Sequence, residues 1–95
     1  MIQHIVLFKW KREISAEEKN AAIVALASLQ TIEDVGEFSA GGQLGKLAKG
    51  YDYAVTLRLS DPAALKTYWS HPKHVAALAV LQPLTSDVLV ADYEV

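Results

Sequence analysis

The apolar and polar residues at the start of the chain alternate in a way that predicts a β-strand. Within residues 2–11, one face of the predicted strand carries Ile2, His4, Val6, Phe8 and Trp10. The other face also carries bulky apolar side chains, Ile5 and Leu7. Large apolar groups on both faces are typical of a strand in the centre of a sheet that is covered on both sides.

The next segment has the features of an amphipathic helix. Ser15 is a favourable N-cap, and Glu18, three residues later, completes a capping box. Apolar residues then recur at helical spacing and form one stripe, which consists of Ala22, Ile23, Leu26 and Leu29. We therefore expect a helix at about residues 15–30.

Turn and capping residues divide the rest of the chain into further elements. Residues 35–43 predict a weaker strand, whose glycines indicate a sheet edge, and residues 51–60 predict a regular strand by their alternation. Asp61, which is followed by a proline, begins one predicted helix, and Pro72 begins another. The alternation returns in residues 86–95, which predict a final strand.

The predicted order of elements, β-α-β-β-α-(α)-β, is that of the ferredoxin-like α+β fold. It implies one domain over residues 1–95, with a four-stranded antiparallel sheet and helices on one face. The helices leave the other face of the sheet bare, although the first strand is apolar on that side too. We therefore expect a homodimer in which the sheet face of an identical subunit covers it, giving a dimeric α/β barrel.

The composition narrows the classes of partner. The formal net charge of −2 argues against a general affinity for nucleic acid or for an anionic membrane. The chain has no cysteine, which excludes disulfides, thiolate metal sites and a cysteine nucleophile. The first apolar run is broken by His4 and Lys9, unlike the apolar run of a signal peptide or a transmembrane helix. These features predict a cytoplasmic protein.

Four segments together resemble the stress-responsive A/B barrel family, whose members are called Dabb domains. They are HIVLFKWK (4–11), GYDYAVTLRL (50–59), YWSHPKH (68–74) and VADYEV (90–95). The resemblance implies a ferredoxin-like monomer and a homodimer whose two sheets form a barrel-like core. A plant member of the family is a polyketide cyclase that needs no cofactor, and its working tyrosine and histidine fall on Tyr68 and His74. A further histidine of that pocket falls on His4.

Several positions depart from the family pattern. A tyrosine on the first helix of the cyclase corresponds to Leu26, and a pair of phenylalanines corresponds to Ala22 and Ile23. The usual Pro-Gly before the second strand of the family is replaced by Glu33-Asp34. The resemblance therefore supports a reactive pocket more than it supports the same substrate.

The candidate catalytic residues are Tyr68 and His74, on either side of Pro72. An imidazole suits a general base or acid near neutral pH, and a tyrosine hydroxyl can stabilise a developing enolate. The alternative is that His74 is a buried structural histidine on an apolar helix stripe. The break at Pro72 could bring the two side chains together, whereas His71 is expected to cap the new helix and point away. The other predicted pocket residues are His4, Val6, Phe8, Ile23, Leu26 and Leu78.

Three functions remain open at this point. The first is cofactor-independent acid–base chemistry on, or binding of, a carbonyl-containing small molecule in a small apolar pocket. The second is a non-catalytic stress or structural assembly protein, and the third is a small ferredoxin-like monooxygenase. We expect no cofactor and no metal, because no phosphate-binding loop is present and His-x-x-His across a proline chelates poorly. The expected partners are a second copy of the chain and a small apolar or aromatic ligand.

Overall fold

The structure, a computed structural model, describes residues 1–95 as four strands and three α-helices. The strands are β1 (Ile2–Trp10), β2 (Gly36–Gly42), β3 (Tyr53–Leu59) and β4 (Thr85–Glu94). The helices are α1 (Ala16–Ala27), α2 (Pro62–Ser70) and α3 (Pro72–Leu81), and short 3-10 turns follow at Ser28–Thr31 and Gln82–Leu84. The strands form one antiparallel sheet in the order β2-β3-β1-β4. This is the ferredoxin-like α+β fold that the sequence predicts.

The start of α1 is fixed by the predicted capping box. The backbone N–H of Glu18 donates to the Ser15 hydroxyl at 3.1 Å, and the Ser15 N–H donates to the Glu18 carboxylate at 2.9 Å. The α-helix ends at Ala27, earlier than expected, and tightens into a 3-10 turn that still buries Leu29. α1 is the longest helix, at 12 residues, and no helix has the length and apolar character needed to cross a membrane.

The core lies between the helices and one face of the sheet. β1 is central, and its Ile2, His4 and Phe8 side chains are buried on that face. β3 contributes three buried residues and the helices contribute the opposite wall of the core, from Ala22, Leu26, Tyr68, Ala77 and Leu81. The alternation in β1 therefore correctly predicts which residues face inward.

The other face of the sheet, here called the outer face, is apolar and uncovered within one chain. The antiparallel register places Ile5 beside Ala91 and Leu7 beside Leu89 on this face. Leu89 and Tyr93, on the edge strand β4, are each 52% exposed, and with Ile5 and Leu7 they extend the apolar surface across two strands. The outer face therefore has the character of a surface that is covered by another molecule.

The turn before β2 explains one departure from the family pattern. Asp34 has a positive φ of 80°, a left-handed conformation in which glycine is most comfortable and aspartate is tolerated. Its carboxylate accepts a hydrogen bond from the Ser60 hydroxyl at 3.0 Å. The aspartate thus replaces the backbone freedom of glycine with a side-chain bond that ties the turn to the end of β3.

The N-cap of α2 gives a direct test of this local structure. The Asp61 carboxylate accepts a hydrogen bond from the Ala64 N–H at 2.8 Å. We expect Asp61→Ala to lower the free energy of unfolding by about 1 kcal/mol, the usual loss for an N-cap, as measured by urea unfolding. Lys66→Ala, on the exposed side of the same helix, should leave the midpoint nearly unchanged. Equal midpoints for Asp61→Ala and the wild type would show that this cap does not stabilise α2.

Candidate functional site

The site is organised by the break between α2 and α3. Pro72 has no N–H to donate, and His71 before it adopts an extended conformation with φ −62° and ψ 135°. The His71 Nδ1 accepts a hydrogen bond from the Lys73 N–H at 3.0 Å and so caps α3. This is the local role that the sequence predicts for His71, and its ring does not line the cavity that Tyr68 and His74 share.

The break brings Tyr68 and His74 together. Their ring centroids lie 4.6 Å apart, and His4 of β1 and Trp69 of α2 complete a cluster of four rings. Within the cluster, His4 lies 5.4 Å from both Tyr68 and Trp69, and Trp69 lies 5.1 Å from His74, measured between centroids. Three polar rings therefore converge on one point beneath the helices.

The ring cluster forms part of the wall of a small cavity between the helices and the sheet. The cavity has a volume of about 90 Å³, roughly the space that three water molecules occupy in the liquid. The predicted pocket residues that line it are His4, Val6, Phe8, Leu26, Tyr68, His74 and Leu78. Sequence reasoning did not predict the others, which are Leu29, Val55, Trp69, Ala77, Leu81, Gln82, Thr85, Val88 and Val90.

Ile23 is the one predicted pocket residue that the structure places elsewhere. It is half-buried on α1 and does not line the cavity. A helix turns about 100° per residue, so Ile23 lies about that far from Ala22 and at the margin of the buried stripe. An apolar stripe marks the buried side of a helix, and its members need not all face one cavity.

Asp92 is a residue of the site that sequence reasoning missed. Its carboxylate lies 2.5 Å from the Nδ1 of His4. The His4 residue is only 1% exposed. A signal was present in the sequence, because the alternation of β4 places Asp92 on the same face as Val88 and Val90. The antiparallel register then sets Asp92 directly opposite His4.

Three polar atoms of the site make no hydrogen bond within the chain. The bonds of His4 and His74 involve Nδ1 in each ring, to Asp92 and to the Trp69 carbonyl, and the Tyr68 hydroxyl has no partner. No fully buried polar side-chain atom in the protein lacks a partner. The Tyr68 hydroxyl and the two Nε2 atoms are therefore accessible to solvent or to a small molecule.

The surroundings shift the proton affinities of two of these groups. Burial, and then the negative charge of Asp92, raises the pKa of Tyr68 to about 12, so its hydroxyl keeps its proton and can donate a hydrogen bond. Burial lowers the pKa of His74, an effect that the hydrogen bond to the Trp69 carbonyl partly opposes. His74 is thus neutral at physiological pH and suits a proton acceptor beside a hydrogen-bond donor. No three His, Asp or Glu side chains are arranged to hold a metal ion.

Comparisons with known proteins agree with this architecture. The model of the stress responsive A/B barrel domain matches residues 2–95. The chain belongs to this family, known as Dabb.

Several individual proteins also match over nearly the full length of the chain. An uncharacterized protein of Streptomyces coelicolor, SCO4036, is 33% identical over 97 residues, which cover 99% of each chain. The crystal structure of a dimeric ferredoxin-like protein of unknown function from Thermobifida fusca has a TM-score of 0.87 at 32% identity, covering 99% of this chain and 90% of that one. A Dabb family protein of Mesorhizobium loti has a TM-score of 0.86 at 28% identity, covering 99% and 95%.

The lowered pKa of His74 predicts how stability depends on pH. Below about pH 6.5, the ordinary pKa of histidine, the unfolded chain takes up a proton at this position before the folded chain does. The free energy of unfolding should therefore fall as the pH drops from 6.5, until the pH is below the folded-state pKa. His74→Gln should show a smaller fall over the same range in urea unfolding series at several pH values.

The matched control for this series is His71→Asn. It removes a partly exposed histidine from the same segment and keeps a capping acceptor at the start of α3. This variant should retain the wild-type dependence on pH. If the free energy of unfolding of His74→Gln depended on pH as strongly as that of the wild type, the assignment of His74 as a neutral buried imidazole would be contradicted.

Proposed function

We propose that this Dabb protein binds a small carbonyl-containing molecule and catalyses proton transfer on it without a cofactor. The observation that carries the proposal is the set of three unpaired polar atoms, from His4, Tyr68 and His74, beside one apolar cavity. Unpaired polar groups in such a place need a partner when water is displaced, and a polar ligand would supply it. The chain has no cysteine, which fits a cytoplasmic location for this activity.

The chemistry follows from the states of Tyr68 and His74. The neutral His74 Nε2 takes a proton from the carbon next to the carbonyl, and the C–H electron pair moves toward the oxygen to give an enolate. The Tyr68 hydroxyl donates a hydrogen bond to that oxygen, where the negative charge develops. The proton then returns to carbon from the imidazolium, or the enolate attacks a second carbonyl of the same molecule.

The shape of the cavity favours this proposal over a purely structural role. Trp69 and Leu26 line the cavity without filling it, and Trp10 does not reach it. At its edge, Val88 and Val90 of β4 are 51% and 40% exposed, so the cavity is open beyond its enclosed part. A ligand could place its carbonyl group in the enclosed part and its apolar remainder at this edge.

The proposal predicts exchange of carbon-bound hydrogen in simple ketones. In D₂O, the wild type should accelerate deuterium uptake at the α-carbon of methyl ketones, from acetone to acetophenone, as followed by proton NMR. Tyr68→Phe should lower this rate about a hundredfold by removing the oxyanion donor, and His74→Ala should lower it by about 10²–10⁴ by removing the base.

The control for the exchange experiment is His71→Asn, which should exchange at the wild-type rate. Rates in Tyr68→Phe and His74→Ala equal to the wild-type rate would contradict proton transfer by this pair. Oxygen uptake in place of exchange would instead favour the monooxygenase alternative. Absence of exchange with loss of folding in His74→Ala would favour the structural alternative.

We also infer that the protein forms a homodimer through the outer face. The Thermobifida fusca protein is described as dimeric, and the outer face here presents Ile5, Leu7, Leu89 and Tyr93 without a cover. When this face packs against the same face of a second copy, one isologous contact removes the apolar side chains of both subunits from water.

A charge on this apolar face should prevent the association. Leu89→Glu should shift the sedimentation coefficient at micromolar concentration from that of a dimer to that of a monomer, because the new carboxylate would be buried without a partner. Val24→Glu, on the exposed side of α1, should remain dimeric. A dimer in both variants would show that the contact lies elsewhere.

A further inference from the structure

The two histidines of the cavity are held in the same orientation by acceptors on the protein. The His4 Nδ1 faces the Asp92 carboxylate at 2.5 Å, and the His74 Nδ1 faces the backbone carbonyl of Trp69 at 3.1 Å. A carbonyl oxygen and an ionised carboxylate accept hydrogen bonds and have none to donate. The hydrogen therefore lies on Nδ1 in each ring, and in the neutral ring Nε2 is left as a bare acceptor.

Asp92 is the only carboxylate that faces His4. The neighbouring elements present Asp92 from β4, Tyr68 from α2 and His74 from α3, whereas β3 presents the apolar Leu57 opposite His4 in its register. A carboxylate in this place fixes the tautomer of the imidazole and stabilises the positive charge that forms when Nε2 takes up a proton. His4 thus has the surroundings of a proton-transfer group, not of a passive wall residue.

The lining of the cavity sets the chemistry of the ligand. It contains no lysine and no arginine, and its polar side chains are His4, Tyr68, His74, Gln82 and Thr85. Where the two free Nε2 atoms and the Tyr68 hydroxyl face this space, they would contact the polar end of a ligand. A carboxylate would face two lone pairs and the nearby charge of Asp92, whereas a hydroxyl group could donate to one Nε2 and accept from Tyr68.

We propose that Asp92 is a positioning residue that holds His4 with its Nε2 toward the cavity, and that the site takes ligands with a hydroxyl head, such as an enol or a phenol, on an apolar body. This inference rests on the proposed function and names its substrate class, since an enolisable carbonyl compound passes through such a hydroxyl-bearing form. It adds His4 to Tyr68 and His74 as a third polar group at the ligand, and to His74 as a second group that exchanges a proton with it.

The tautomers can be read directly from the nitrogen chemical shifts of the histidine rings. In ¹⁵N-labelled protein at pH 8, two-bond ¹H–¹⁵N spectra should show His4 and His74 with hydrogen on Nδ1. In Asp92→Asn the amide can donate to Nδ1, so His4 should gain the tautomer with hydrogen on Nε2 while the signals of His74 stay in place. Asp87→Asn, the same change at the other end of β4, should leave both rings unchanged. An Nε2-protonated His4 in the wild type, or an unchanged His4 in Asp92→Asn, would overturn the assignment of Asp92.

Binding of small aromatic probes tests the class of ligand. Phenol, toluene and benzoate have the same ring and differ in the polar group, and their binding can be followed by shifts of the cavity resonances in ¹H–¹⁵N spectra. At pH 8 the wild type should bind phenol roughly three- to tenfold more tightly than toluene, the gain of one hydrogen bond, and should bind benzoate more weakly than either. Asp92→Asn should lose the preference for phenol and keep its affinity for toluene.

Each other outcome has a distinct meaning. Loss of toluene binding in Asp92→Asn would show that Asp92 supports the shape of the cavity, and would overturn its role as a positioning residue. Benzoate binding as tight as that of phenol would overturn the ligand class while leaving proton transfer by Tyr68 and His74 possible. Failure of every probe to bind the wild type would overturn the proposed function and the ligand class together, and the nitrogen shifts would still decide the role of Asp92.

Discussion

The break in the helical path at Pro72 is the constraint on which the site depends. On an unbroken helix, Tyr68 and His74 would be six residues apart and would point in directions about 120° apart around the axis. Pro72 removes the N–H that would continue α2, and the extended conformation of His71 turns the chain so that α3 returns toward the sheet. The ring centroids of Tyr68 and His74 then lie 4.6 Å apart. The His71 side chain accepts a hydrogen bond from a backbone N–H in the first turn of α3, so the break leaves fewer unpaired amides.

The sheet contributes the other two polar residues of the site, His4 from β1 and Asp92 from β4. β1 is central, so that its register with β4 places Asp92 beside His4 under the ring cluster. The two histidines are therefore held by different parts of the chain, one by a strand and one by a helix, and each is held through its Nδ1. Because the rest of the lining is almost entirely apolar, these few polar atoms determine which group of a ligand can enter.

Much of the fold could be predicted from the sequence because its signals are local. Alternation in β1 and β3, the capping box at Ser15 and the Asp-Pro start of α2 each follow from spacing between near neighbours. The contact between Tyr68 and His74 needed the recognition of a break at Pro72. The pairing of His4 with Asp92 depends on strand register across 88 positions of sequence, which no local pattern specifies. Ile23 shows the opposite difficulty, since its stripe identifies a buried side of α1 but not the boundary of the cavity.

We infer that His4, Tyr68 and His74 surround a space that holds the polar end of a ligand. The most direct measurement is a crystal structure of the protein grown with 4-bromophenol, whose bromine can be located by its anomalous scattering. We expect the hydroxyl group to lie within hydrogen-bonding distance of the Tyr68 hydroxyl and at least one Nε2 atom, with the bromine directed toward Val88 and Val90. A cavity closed by protein side chains, with the probe bound elsewhere or not at all, would contradict this role of the three side chains.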